Sequence, residues 1–192
     1  ANRFRMRSSI ALEKINREGS QKHYENGLSL LEDSPYQNIE QAIAEFTKAI
    51  FLVDDNPNIF ESRGDAYVQL CDYRSAITNF KRALQLRSES PHLRRKLSNI
   101  LDVEGLTRLK ERQFQEALNL FTAALDTDPS NKYFLFHRSV ALVGAARLPE
   151  ALKALHAYIQ GETRSGLLVE AHVLAARICR YLRDLAAVAL HV

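Results

Sequence analysis

The segment Gly161-Glu162-Thr163-Arg164-Ser165-Gly166 has the two-glycine spacing of a phosphate-cradling loop, but Leu167-Leu168 follow it. Such a loop needs a lysine for the phosphates and a hydroxyl for Mg²⁺, so the two leucines remove that chemistry and leave a flexible connection. The chain has no His-Glu-x-x-His and no Gly-x-Ser-x-Gly, and its six histidines are scattered along it. His137 and His156 could approach across one helical hairpin, where a polar-surface or core role outweighs a ligand role. Cys71 and Cys179 are the two cysteines and form no C-x-x-C, which suggests neither a disulfide framework nor a zinc site and suits a reducing compartment. No nucleophile paired with a base is legible, so the expectation is a protein that is not an enzyme and uses no cofactor or metal.

Charge offers a second kind of chemistry. The 192 residues carry 26 basic and 23 acidic side chains, and a net +3 does not by itself imply a polyanionic partner. Local clusters matter more: Lys81-Arg82 and Arg94-Arg95-Lys96 could form a basic edge if the fold brings them together, besides Arg3, Arg5 and Arg7 in the leader. An acidic surface such as a tubulin tail would fit that edge. Aromatic interleaving of the RNA-binding kind is absent, so nucleic acid is disfavoured. No apolar run reaches the roughly 18 residues that span a bilayer, so no membrane is expected. The chain starts at Ala1 without methionine and stops at Val192 inside an apolar pattern, and is read as a fragment of a longer protein.

The elements that would position these groups follow from one phrase that recurs four times: Ala42-Ile43-x-x-Phe46-x-x-Ala49-Ile50, Ala76-Ile77-x-x-Phe80-x-x-Ala83-Leu84, Ala117-Leu118-x-x-Phe121-x-x-Ala124-Leu125 and Ala151-Leu152-x-x-Leu155-x-x-Tyr158-Ile159. Apolar residues at i, i+1, i+4, i+7 and i+8 make one stripe of an α-helix. The leading alanines are separated by 34, 41 and 34 residues, a period that means stacked helical hairpins. Seven extra residues are close to two helical turns, about 7.2 residues, so the long interval can be absorbed by extending a helix without turning its face.

The punctuation agrees. Asn56-Pro57 and Ser90-Pro91 each offer an N-cap followed by proline at the first helical position, Cys71-Asp72 and Glu111-Arg112-Gln113 are short turns, and Asp128-Pro129-Ser130-Asn131 is a longer one. The expected organisation is a single stack: residues 1–19 a basic leader and capping part of the first helix, 20–53 the first repeat, 57–87 the second, 91–128 the third with an extended first helix, 131–160 the fourth, and 167–192 a partial fifth, with a break near residue 183.

Gly64 and Gly105 each stand twelve residues before the phrase, Gly27 stands fifteen before it, and Phe60, Tyr67 and Pro129 fall at matching places. This pattern resembles the tetratricopeptide repeat, over about residues 20–192. The departures are Ser139 in place of the glycine, Tyr158 in place of the late alanine, and Ser88 where proline is usual. Glycine inside a helix costs roughly 0.5–1 kcal/mol relative to alanine, so its recurrence implies close helix approach. Gly64 and Ala76 are expected to let the helices of a hairpin touch, with Phe80 filling the space between hairpins.

The resemblance implies an all-α fold, a right-handed α-solenoid of antiparallel hairpins with about four repeats plus a partial fifth. It also implies a concave groove lined by the first helix of each hairpin. By register that groove holds Asn58, Glu61, Asp65, Val68 and Gln69, then Asn99, Asp102, Leu106, Leu109 and Lys110, then Tyr133, Phe136, Val140 and Val143. Family members that clamp a chaperone carboxyl-terminal tail do so with basic and amide side chains; Glu61, Asp65 and Asp102 would repel a carboxylate, so that partner is disfavoured. An acidic second repeat beside an aromatic fourth suits a peptide with a basic residue and an apolar anchor, although Tyr133 and Phe136 could equally pack against the next hairpin. Two functions stay open. One is a non-enzymatic scaffold binding a protein or peptide in the groove, in the cytoplasm; the other is a structural component of a cytoskeletal or ciliary assembly that uses the basic edge and the stack ends.

Overall fold

A computed structural model describes the backbone of residues 2–33, 38–161 and 166–189, and the side chains of 9–32, 38–161 and 166–183. These residues are all-α. The helices are α1 (Asn2–Asp33), α2 (Ile39–Leu52), α3 (Pro57–Gln69), α4 (Tyr73–Leu86), α5 (Pro91–Lys110), α6 (Phe114–Thr127), α7 (Tyr133–Gly144), α8 (Leu148–Gly161) and α9 (Leu168–Ala189), and no strand occurs among the described residues. The chain divides into two compact units, residues 1–100 and 101–192, with the boundary inside α5. In the first, α1 packs on α2, α2 on α3 and α3 on α4; in the second, α6 packs on α7, α7 on α8 and α8 on α9. The turn at 34–37, the loop at 162–165 and the last three residues lie outside the described residues.

The recurring phrase faces inward, as its periodicity requires. In the first unit Ala42, Phe46 and Ala49 pack with Ile59 and Ala66, while Phe60, Ala83 and Leu93 form a second cluster. In the second unit Ala117, Leu118 and Phe121 join Ala141, Leu142, Ala151, Leu155 and Tyr158, and α9 adds Ala171, Ala175 and Ile178. Each fully buried Phe or Leu contributes roughly 1.5–3 kcal/mol of transfer free energy, which is why these positions carry the repeat.

What lies above each glycine differs from the sequence expectation. A Cβ at Gly27, Gly64 or Gly105 would fall 2.5, 2.8 or 2.6 Å from the ring of Phe46, Phe80 or Phe121 respectively. Phe80 therefore seats on Gly64 of its own hairpin, where we expected it to work between hairpins. The fourth repeat makes the opposite pairing of sizes: Ser139 stands at the glycine position and Leu155 at the phenylalanine position, and both are fully buried. Ser139 satisfies its hydroxyl by donating to the Phe136 carbonyl at 2.6 Å.

Three hairpin turns share one backbone solution. Cys71, Arg112 and Ala146 adopt φ of 57°, 60° and 60°. At each, the residue's N–H donates three residues back and the next N–H donates five back: Cys71 to Val68 and Asp72 to Tyr67, Arg112 to Leu109 and Gln113 to Arg108, Ala146 to Val143 and Arg147 to Leu142. These bonds satisfy carbonyls that the helix end would leave open, and offset the roughly 1–2 kcal/mol that a side chain adds in the left-handed region. Asp72 then caps α4 by accepting from Ser75 N–H at 3.1 Å. The expected caps at Asn56 and Ser90 also form, accepting from Asn58 N–H and Leu93 N–H at 3.0 and 3.3 Å.

Two helices depart from the expected boundaries. Helix α1 is continuous from Asn2, with its packing on α2 marked by Gly19 against Leu52 and by Ser20 Oγ donating to the Ala49 carbonyl at 2.9 Å. Ile10, Leu12 and Ile15, before that point, are exposed. Helix α9 runs through residue 183 without the expected break. Helix α5 has 20 residues against 13 for α3, so the long interval is a helix extension, and its buried Leu93, Leu97, Leu101 and Gly105 stay on one i, i+4 row.

Candidate interaction surface

In the first unit, Glu61 and Asp65 are one turn apart on α3, and Lys96 of α5 reaches both. Its Nζ lies 2.8 Å from Glu61 Oε1 and 3.0 and 2.7 Å from the two Asp65 oxygens, and 5.8 Å from the Phe80 ring centroid. His92 Nε2 lies 3.0 Å from the same Glu61 oxygen. Burial is the largest influence on all three charged groups. On Glu61 it is outweighed by Lys96 and His92, which together hold the carboxyl below its ordinary value. On Asp65 burial prevails and the neighbouring Glu61 adds to it, so that carboxyl is raised; Lys96 is raised because its two carboxylates outweigh its burial. The acidic face expected from Glu61 and Asp65 is thus a mixed-charge cluster.

Lys96 was expected on the basic edge, and the structure places it on this cluster instead. Of the other edge residues, Arg82 contacts Asp54 at 3.4 Å and Arg94 donates to the Ser88 carbonyl at 2.7 Å, whereas Lys81 and Arg95 are exposed. Asn58 accepts from Arg87 at 2.9 Å, and Gln69 and Asn99 are exposed. The leader arginines fall within the backbone of α1, and their side chains lie outside the described residues.

In the second unit, Asp102 Oδ1 lies 2.7 Å from His137 Nδ1, with the imidazole 5.8 and 6.0 Å from the Phe121 and Phe136 rings. Phe136 is half-buried and its ring lies 5.7 Å from that of the buried Tyr158 of its own hairpin, tilted by 47°; Tyr133, 42% exposed, lies 6.4 Å from the same ring. Leu106, Leu109 and Val143 are partly buried against this core, and Lys110 is exposed. His156, Cys71 and Cys179 are exposed.

The contacts of Lys96 and His137 were not anticipated. Both follow one rule: Glu61 and Asp102 each stand three residues before the register glycine, and each meets a basic group 35 residues later. That common separation of 35 residues is the signal that would have found them. No group of three potential metal ligands is found among the described residues, and none of the described helices is long and apolar enough to cross a membrane.

The recurring hairpin unit has counterparts in known proteins. Models of the tetratricopeptide repeat match residues 58–90 and 103–165, together half of the chain. The chain is similar to Tetratricopeptide repeat protein 16 of Macaca fascicularis, 27% identical over 163 residues that cover 84% of this chain and 18% of that protein. It therefore spans less than a fifth of the curated relatives it matches. Among solved structures it is similar to YrrB, described as a TPR protein with an unusual peptide-binding site, at 22% identity and a TM-score of 0.54, covering 92% of this chain and 84% of that one. It is also similar to MamA of Desulfovibrio magneticus RS-1, at 17% identity and a TM-score of 0.50, covering 88% and 96%. Identities this low speak for the fold alone, and they agree with the repeat models: the chain belongs to the tetratricopeptide-repeat family.

Proposed function

We propose that this chain is a non-enzymatic interaction scaffold that holds a protein or peptide on the exposed surface of the first helices of its hairpins. The observation that carries this is the ring group on α7: Tyr133 stays 42% exposed beside the half-buried Phe136, with the buried Tyr158 holding both in place. A rigid aromatic of that kind offers apolar contact area at little entropic cost and anchors a partner's apolar side chain. In the first unit, the Glu61–Lys96–Asp65 cluster would exchange its internal ion pairs for a partner's polar groups. Its mixed charge, in place of the acidic face first expected, removes the requirement for a basic partner residue. The peptide-binding description of YrrB supports the coarse reading.

The test is affinity capture with the chain and with Tyr133→Ala and Glu61→Gln/Asp65→Asn variants, the neutral pair avoiding the like charges that reversal would set against Lys96. Loss of the same partner from both variants is expected, and a partner retained by both overturns the reading. The alternative, a cytoskeletal or ciliary component docking on tubulin, gets less support now that Lys96, Arg82 and Arg94 have internal partners. It would show as tubulin co-sedimentation that falls with salt and on neutralising Lys81 and Arg95.

A further inference from the structure

The second unit holds a recess of about 490 Å³ lined by α6, α7 and α8, and none of the candidate interaction residues described above lines it. Its walls carry Arg138, Arg147, Lys153 and Glu150, with the amides of Gln115 and Asn119 and the hydroxyl of Thr122. Arg147 is committed to Glu150, which accepts from its Nε and Nη2 at 2.7 and 2.6 Å. Arg138 is different: its Nε is buried without a hydrogen-bond partner among the described residues. A buried guanidinium donor left without an acceptor is costly, and native chains seldom leave one.

The first unit shows how an arginine at this register can be satisfied. Arg63 stands one residue before its register glycine, as Arg138 stands one before Ser139. Arg63 donates from Nε to Asn79 Oδ1 at 2.8 Å and from Nη1 to Thr47 Oγ1 at 3.1 Å. Counting by register, Thr122 matches Thr47, but Ala154 stands where Asn79 would be. The acceptor of the arginine Nε is therefore missing from the fourth repeat, and Ala154 itself lines the recess.

We propose that this recess is a docking site for an acidic peptide, in which a partner's aspartate or glutamate carboxylate takes the place of the Asn79 oxygen. A carboxylate can accept from the Nε and Nη edge of a guanidinium at once, the geometry that favours arginine at such sites. Lys153, which forms no ion pair among the described residues, supplies a second positive charge, and the Asn119 and Gln115 amides front the same space. Glu150 holds the surplus positive charge down, which suits a monoanionic carboxylate better than a phosphate. Among the described residues no aromatic ring lines the recess, so these residues give no platform for a nucleic-acid base. The site is independent of the face around Tyr133.

The test is fluorescence anisotropy with the whole chain and a fluorescein-labelled decapeptide of alternating glutamate and glycine, beside its glutamine and phosphoserine counterparts. The glutamate peptide is expected to bind and the glutamine peptide not to. Arg138→Gln and Arg138→Lys should each weaken binding on the order of tenfold, the lysine keeping the charge but not the fork. Ala154→Asn should weaken it as much while keeping or raising the melting temperature, because it restores the internal acceptor. Lys22→Gln, which removes an exposed positive charge in the other unit, should change nothing. Equal affinity in the Arg138 and Ala154 variants, equal binding of the neutral peptide, no binding at all, or much tighter phosphoserine binding would each overturn the proposal.

Discussion

The Phe80 ring lies over Gly64 so closely that a methyl group there would sit 2.8 Å from Phe80 Cε1. Phe80 is 1% exposed, so the ring has no empty space to retreat into. Gly64→Ala is therefore expected to destabilise the first unit by about 1–3 kcal/mol through overpacking, despite the better helix propensity of alanine. Gly64→Ala combined with Phe80→Leu imitates the Ser139 and Leu155 pairing of the fourth repeat. Chemical denaturation of both single variants and the double should show a double mutant more stable than the sum of the singles predicts.

The left-handed turns are a place where stability can be added. Arg112→Gly and Ala146→Gly remove the Cβ clash at φ of 60° while keeping the two turn hydrogen bonds. Each is expected to stabilise by about 1 kcal/mol, less what glycine loses to its freer unfolded chain. A rise in denaturation midpoint at an unchanged slope is the expected reading.

Lys96 bridges two carboxylates, so its removal does more than delete one ion pair. Lys96→Ala leaves Glu61 and Asp65 as like charges one turn apart. The side chain is 28% exposed, and after solvent screening the expected loss is about 1 kcal/mol at neutral pH. Adding Asp65→Asn should recover part of it in thermal melts, because the repulsion disappears with the charge.

Glu45 sets an acid-side test. Lys48 first, then His23, hold its carboxyl at about 2, well below the usual carboxylate range, with Nζ at 2.5 Å and Nδ1 at 2.7 Å. A carboxyl depressed in the folded state stabilises above its unfolded value and loses that contribution as pH falls toward the folded one. The melting temperatures of the chain and its Glu45→Gln variant should therefore differ at about pH 5 and converge at about pH 2. An equal gap at both would count against the ionised contact.

The fold was legible because it rests on short-range regularities. Apolar spacing, the glycine register and the cap residues act within one helix or one turn, so the phrase around Phe46, Phe80 and Phe121 specifies hairpins wherever it occurs. The extension of α5 was equally visible, since seven residues are nearly two turns. Distances along the chain determined these features by themselves.

Which charges meet was decided only by tertiary structure. Lys96 read as one of three consecutive basic residues, and only the packing of successive hairpins brings it to Glu61 and Asp65. Asp102 and His137 meet for the same reason, and Phe80 settles on Gly64 only once two helices have paired. Arg138 is the sharpest case. Its type and position match those of Arg63, and only with the side chains in place does the exchange of Asn79 for Ala154 appear as a buried donor without an acceptor among the described residues. Long side chains choose among several partners within reach, and that choice depends on distances between helices that a one-dimensional pattern does not contain.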